Sequence, residues 1–196
     1  MSLPRSLGDA TAIATPCVLA GILHIVVIRR GALRLLSNCP IDFNVKIQGK
    51  RIFGDHKTFR GLAVMVLGTA FSSILLFPAL FALVGDTFLA GNATHLRCFL
   101  WGGLLGLGCV LGELPNSFMK RQIAIAPGQS PAGAMRHLCW IIDQLDSVVG
   151  AIVFSALIWP LPLLSVVCSI LLGLSIHALG DVVMIHLGLK RQRPTL

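Results

Sequence analysis

Asp143-Gln144-Leu145-Asp146 runs directly into Ser147-Val148-Val149-Gly150-Ala151-Ile152-Val153-Phe154-Ser155-Ala156-Leu157-Ile158-Trp159. Two carboxylates three residues apart share one face of a helix and converge on one point. The apolar run that follows has the character of a membrane span. An acid pair at the mouth of such a span is unfavourable unless a positive group meets it. A hard cation with a preference for oxygen, Mg²⁺ above all, suits two carboxylates. A solvated or Lys/Arg-paired carboxylate pair fits the same spacing.

Outward from this stretch the chain keeps the same character. Its 196 residues are 55% hydrophobic and 12% charged, with mean hydropathy +0.84, where soluble domains carry about a quarter charged residues. The composition predicts an all-α, polytopic membrane bundle forming a single domain over 1–196. Five spans are expected, over about 10–28, 61–84, 99–114, 145–159 and 163–187, with site-forming loops over about 29–60 and 115–144. The third span is rich in glycine (Gly102, Gly103, Gly106, Gly108, Gly112), which lets helix backbones approach closely and also allows a homodimer. Trp101, Trp140 and Trp159 fall near span ends and read as interfacial anchors. The six cysteines are scattered without a C-x-x-C pair, so they read as small apolar residues.

The net charge of +8 is distributed by side and does not signal nucleic acid. Loop 29–60 holds eight Lys and Arg, 115–136 holds three and the C-terminal tail three; Arg5 and Arg97 remain for the other side. The positive-inside rule then places the N-terminus outside and the C-terminus in the cytoplasm of a cell (inner) membrane. Asp42, Asp55, Glu113, Asp143, Asp146 and Asp181 gather on the same cytoplasmic side, which the sorting rule does not require.

Two further segments suit phosphate. In Gly54-Asp55-His56-Lys57-Thr58-Phe59-Arg60-Gly61 the glycines admit a ligand to the backbone, Lys57 offers a point charge, Thr58 a hydroxyl and Arg60 a planar fork. An ordinary basic loop facing anionic lipid is the bland counterpart. Ser117, Lys120 and Arg121 share a helical face, with Glu113 one turn before them; basic residues reaching for the interface would look similar. His177 and Asp181 stand one turn apart inside the last span and read as a hydrogen-bonded pair that fixes helix packing. Carboxylates for a metal, two basic segments and access to lipid together point to nucleotidyl transfer between a soluble nucleotide and a membrane lipid. A lipid phosphate is already ionised and needs no general base. A small anion transporter, or an adaptor without chemistry, is the alternative.

Five segments, in this order, are similar to the CDP-archaeol synthase family of membrane cytidylyltransferases, relatives of phosphatidate cytidylyltransferase. They are Pro40-Ile41-Asp42-Phe43, Gly54 to Gly61, Gly112-Glu113-Leu114-Pro115-Asn116-Ser117-Phe118-Met119-Lys120-Arg121, Asp143 to Asp146 with Gly150, and Leu187-Gly188-Leu189-Lys190 with Pro194. The resemblance implies transfer of a cytidylyl group from CTP to a phosphatidate-like or archaeal diether lipid phosphate, with Mg²⁺. It implies metal ligation by Asp143 and Asp146, joined by Glu113. It implies that Gly54, Asp55, Lys57, Thr58, Arg60, Ser117, Lys120 and Arg121 hold the nucleotide phosphates. Lys57 and Lys120 take catalytic roles with the two aspartates, and Asp42 and Asp55 organise the first loop.

Overall fold

The computed structural model describes residues 2–85, 88–89, 92–129, 131 and 133–186. The tail motif Leu187 to Lys190 with Pro194 lies outside them. Helix α1 (Leu3–Arg29) leads into the short α2 (Arg34–Ser37) and an antiparallel hairpin of β1 (Lys46–Ile47) and β2 (Lys50–Arg51). Lys46 pairs with Arg51 and Ile47 with Lys50. Between them Gln48 and Gly49 both take positive φ, 50° and 78°, as a two-residue hairpin turn requires. Then come α3 (Phe59–Leu75), α4 (Phe77–Val84), α5 (His95–Gln122), α6 (Ala134–Ser155) and α7 (Leu163–His186).

Four helices, α1, α5, α6 and α7, are long and apolar enough to cross a membrane. The expected second span is α3 plus α4, bent by 69° at a short break, and gives five if the pair counts as one. The bend falls at Leu76, where Pro78 in the first turn of α4 has no N–H to continue the ladder. The boundaries around the site also need correction. The third span does not stop at 114: α5 runs to Gln122 through Pro115. The fourth helix begins at 134, ahead of the expected apolar span, and carries Asp143 and Asp146 within it. The expected loop 115–144 shrinks to the segment between α5 and α6. Polar residues facing protein can extend a helix past its apolar stretch, which hydropathy alone does not reveal.

Helix α5 is the axis. Four of its glycines are spent on packing within the chain. A Cβ on Gly102 or Gly106 would collide with the α3 backbone at Thr69 or Met65; one on Gly108 or Gly112 would strike Gly150 or Asp146 of α6. Only hydrogen allows these backbones to touch. Away from the charged end, Trp101 and Trp159 stack edge-on against Phe88, with centroids 5.2 and 5.1 Å away. Trp101 donates to Ser155 Oγ at 2.8 Å. Both indoles are buried, so they are core residues and not interfacial anchors. All six cysteines are unpaired, and Cys98, Cys109 and Cys168 are buried, as small apolar residues would be.

Candidate active site

The site is a chamber where α5, α6 and α7 meet loop 38–58. Asp42 builds that loop. Its buried carboxylate accepts from the backbone of Asn44, Phe53 and Gly54 at 3.0–3.1 Å, and from Arg51 Nε and Nη2 at 3.1 and 2.6 Å. Burial alone would push the Asp42 carboxyl up. The Arg51 guanidinium and the three N–H groups overcome that and hold it at about 2. Arg51 also donates to Asp55 at 2.7 Å. The ends of the loop are clamped by Ile41 N to Lys57 O at 2.8 Å and Phe59 N to Cys39 O at 3.0 Å. Gly54 is buried at φ +90°, and a Cβ there would stand 3.1 Å from Pro127. The loop can therefore press down on the α5–α6 connection only with glycine at this position.

The chamber holds about 340 Å³ and is lined by Lys57 from the loop, Glu113, Asn116, Ser117, Lys120 and Arg121 from α5, Asp143, Gln144 and Asp146 from α6, and His177 and Asp181 from α7. On α5, positions 113, 116, 117, 120 and 121 form one helical stripe. Asn116 Nδ2 donates to Asp143 Oδ1 at 2.6 Å and to Asp146 Oδ2 at 2.7 Å. Lys120 pairs with Asp143, and Lys57 with Glu113. Arg121 differs: its Nε and Nη1 are buried without a hydrogen-bond partner. Buried guanidinium N–H groups in a polar chamber are unfavourable until an acceptor, best an anion, meets them.

The expected site residues divide as follows. Lys57, Glu113, Ser117, Lys120, Arg121, Asp143 and Asp146 come together in one chamber. Gly54 serves the loop's approach. Asp55 is exposed and tied to Arg51, so its role is in the loop. Thr58 caps α3, its Oγ1 accepting from Gly61 N at 3.4 Å. Arg60 does not line the chamber. Asn116 sat inside a quoted motif without a role; its place on the stripe of Glu113 and Lys120 was the available signal. His177 and Asp181 reach across to α6: His177 Nε2 lies 3.2 Å from Ser147 Oγ, and Gln144 donates to Asp181 Oδ2 at 3.0 Å. They fix packing, as expected, but between helices and at the chamber wall.

Asp143 and Asp146 converge as their spacing predicts. Among the described residues no group of three or more His, Cys, Asp or Glu is close enough to cage a metal, and Glu113 turns to Lys57. The donor set still fits a hard cation. Two carboxylate oxygens meet at one amide nitrogen. Rotating the Asn116 amide would put its oxygen there instead. Mg²⁺ commonly uses one or two carboxylates and completes its shell with waters and substrate phosphates.

Comparison with known proteins bears on what this chamber does. The family model for CDP-archaeol synthase (CarS-like) matches residues 15–193. A CDP-archaeol synthase of Methanopyrus kandleri is 34% identical over 154 residues, covering 77% of each chain. That of Pyrobaculum aerophilum is 31% identical over 82% of this chain and 85% of its own. That of Thermofilum pendens is 33% identical over 77% of this chain, which spans 64% of that relative's length. A solved structure of an intramembrane enzyme for archaeal membrane lipid biosynthesis superposes with TM-score 0.62 at 24% identity, covering 88% of this chain and 92% of its own. That likeness supports the fold.

Proposed function

The chain belongs to the CDP-archaeol synthase family, and on that premise we propose that its chamber transfers a cytidylyl group from CTP to a membrane lipid phosphate. The products are a CDP-lipid and pyrophosphate. The observation that carries this reading is the pairing of converging Asp143 and Asp146 with Arg121, whose buried Nε and Nη1 have no hydrogen-bond partner, in one chamber. Such a chamber has a place for a cation and a place for an anion.

An oxygen of the lipid phosphate forms a bond to the α-phosphorus of CTP, and the bond from that phosphorus to the departing pyrophosphate breaks. The attacking oxygen is already anionic, so no residue needs to remove a proton. Arg121, Lys120 and Lys57 hold the phosphate oxygens and offset charge on the leaving pyrophosphate. Lys57 and Lys120 exchange Glu113 and Asp143 for phosphate as the nucleotide enters. Asp143 and Asp146, with the Asn116 amide oxygen, would hold Mg²⁺. When bound, the ion neutralises charge at the transferring phosphorus. Asp42, through the loop it organises, keeps Lys57 aimed into the chamber. The basic loop sets the chamber in the cytoplasm, with the N-terminus outside.

The test is product formation. Protein in detergent receives Mg²⁺, labelled CTP and a panel of lipid phosphates, beside Asp146→Asn and Lys57→Ala. Labelled CDP-lipid from the parent and none from the variants is the expected result. Mg²⁺-dependent CTP binding without product on any lipid would refute the acceptor class, and no CTP binding would refute the nucleotide.

A further inference from the structure

The chain does not lift away from the bundle between α1 and α3. It leaves the first membrane-crossing helix at Arg29 and Arg30, turns at Gly31 (φ +59°) and Leu33 (φ +55°), and folds back. Leu33 then lines an apolar crevice between α1 and α3, together with Leu23, Val27 and Phe71. That crevice faces lipid, since Phe71 and Leu75 on its α3 wall are 61% and 77% exposed. Beside it Leu35 of α2 is 86% exposed. Phe43, 72% exposed, lies 5.4 Å from the ring of Phe59, the first residue of α3. These side chains stand at the level where α1 and α3 cross the edge of the bilayer. Val45 and Ile47, further along, are exposed as well. Basic residues alternate with them. Arg29, Arg30, Arg34 and Lys46 are exposed, and among the described residues none of the four has a carboxylate within ion-pair distance. Asp42 is the one acid from 29 to 50, and it is buried on Arg51.

We propose that α2 and the residues through β1 form an anchor in the headgroup layer of an anionic leaflet. Leu33, Leu35 and Phe43 sit among the upper acyl chains, and Arg30, Arg34 and Lys46 meet lipid phosphates. Interleaved apolar and basic side chains suit a segment that lies in the interface, and a basic stretch beside a span is drawn to an anionic surface. Exposure alone would equally suit a soluble protein partner. Depth favours lipid. Leu33 shares its crevice with lipid-facing residues of two membrane helices, and Phe43 meets the residue at which α3 begins. A soluble partner could cover neither without displacing headgroups. Charge agrees, because the exposed surface from 29 to 50 carries basic groups and no acid. The anchor is continuous in the chain with loop 38–58, which carries Asp42, Gly54 and Lys57, so the leaflet steadies that loop over the chamber. The proposal stands apart from the cytidylyl-transfer reading: its readouts need no turnover, and it holds or falls whatever the chamber binds.

The experiment places the full chain in nanodiscs of phosphatidylcholine, with or without phosphatidylglycerol. Leu35→Trp and Phe43→Trp each add an indole whose emission, measured over that of the parent, reports depth. Lipids brominated near the glycerol end of their acyl chains should quench most of the added emission, and lipids brominated near the chain ends should quench little. Leu67→Trp, about 12 Å further along α3 than Phe59 and half exposed, should show the reverse preference. Each basic residue near an anionic surface contributes about fivefold to partitioning. Arg30→Gln/Arg34→Gln/Lys46→Gln should therefore shift the balance from anchored to lifted by on the order of 100-fold. Combined with Leu35→Trp, these changes should reduce the quenching and remove its dependence on phosphatidylglycerol. Unquenched emission at both positions would overturn the anchor. So would quenching that neither phosphatidylglycerol nor the loss of three charges alters. Amide exchange reads the effect on the loop. Withdrawing phosphatidylglycerol should speed exchange at Phe53 and Gly54 while α5 and α6 keep their protection, and unchanged exchange would overturn the steadying of the loop by the leaflet.

Discussion

Asp42→Asn removes one negative charge from the centre of loop 38–58 while keeping the side chain's size. In the folded loop the carboxyl is held at about 2, against an ordinary 3.8. At 1.36 kcal/mol for each step of one, the charge contributes about 2 kcal/mol to keeping the loop closed. Its side chain has no solvent exposure, so solvent screening takes little from that figure. Loss of about 2 kcal/mol raises the open population roughly 30-fold. The assay is hydrogen exchange at the amides of Phe53 and Gly54, which donate to Asp42. Both should exchange roughly 30-fold faster in the variant, while α5 and α6 amides keep their protection. Asp42→Ala should go further, to about 3 kcal/mol, because the N–H groups of Asn44, Phe53 and Gly54 also lose their acceptor. The sign of the pH dependence follows from the lowered value. The contribution is fully present above about 4 and is lost as pH falls toward about 2. Unchanged exchange at Phe53 and Gly54 in Asp42→Asn would refute the assignment of Asp42 as the loop's organiser.

Gly150→Val should lower the thermal midpoint in detergent, since its Cβ would meet the Gly108 backbone and overpacking destabilises by about 1–3 kcal/mol; Gly103→Val should not, and equal midpoints would contradict the packing. Asn116→Leu should cut CDP-lipid formation on the order of 100-fold, because both carboxylates lose the group they converge on; wild-type turnover would remove Asn116 from the site. Arg121→Ala should raise KM for CTP about tenfold or more with a smaller change in kcat, and an unchanged KM would show that its free N–H groups do not meet the nucleotide.

Much of the fold was legible because hydropathy and glycine spacing report on it directly. The apolar runs located the described helices that are long and apolar enough to cross a membrane, and the glycines of α5 marked its close approach to α3 and α6. The convergence of Asp143 with Asp146, and the face shared by Glu113, Ser117, Lys120 and Arg121, followed from helical spacing. Three features did not. Around the site the helices outrun the expected spans, because hydropathy marks where an apolar run stops, and α5 and α6 continue as helices beyond it. The two buried tryptophans were misjudged because an indole at a span end has the same local sequence whether it faces headgroups or the Phe88 ring. Asn116 was overlooked because an amide carries no charge and becomes informative only when two carboxylates are found on it.

On the proposed function, the charges of the chamber also account for how a nucleotide is received next to a membrane. Lys57 and Lys120 are matched to Glu113 and Asp143, and Asn116 bridges Asp143 and Asp146. No pair is deeply buried: the four paired side chains keep 14–37% of their exposure, so separating them carries a modest penalty. An incoming nucleotide with its cation brings both signs at once. On the proposed reading the lysines exchange carboxylates for phosphates as the carboxylates exchange lysines for the cation. Neither set of charges is then left uncompensated in a low-dielectric setting, which is the condition that would be most unfavourable. Arg121 stands outside this exchange. It has no partner to give up, so its interaction with phosphate is gained without breaking another, and it is the residue from which nucleotide affinity should chiefly derive.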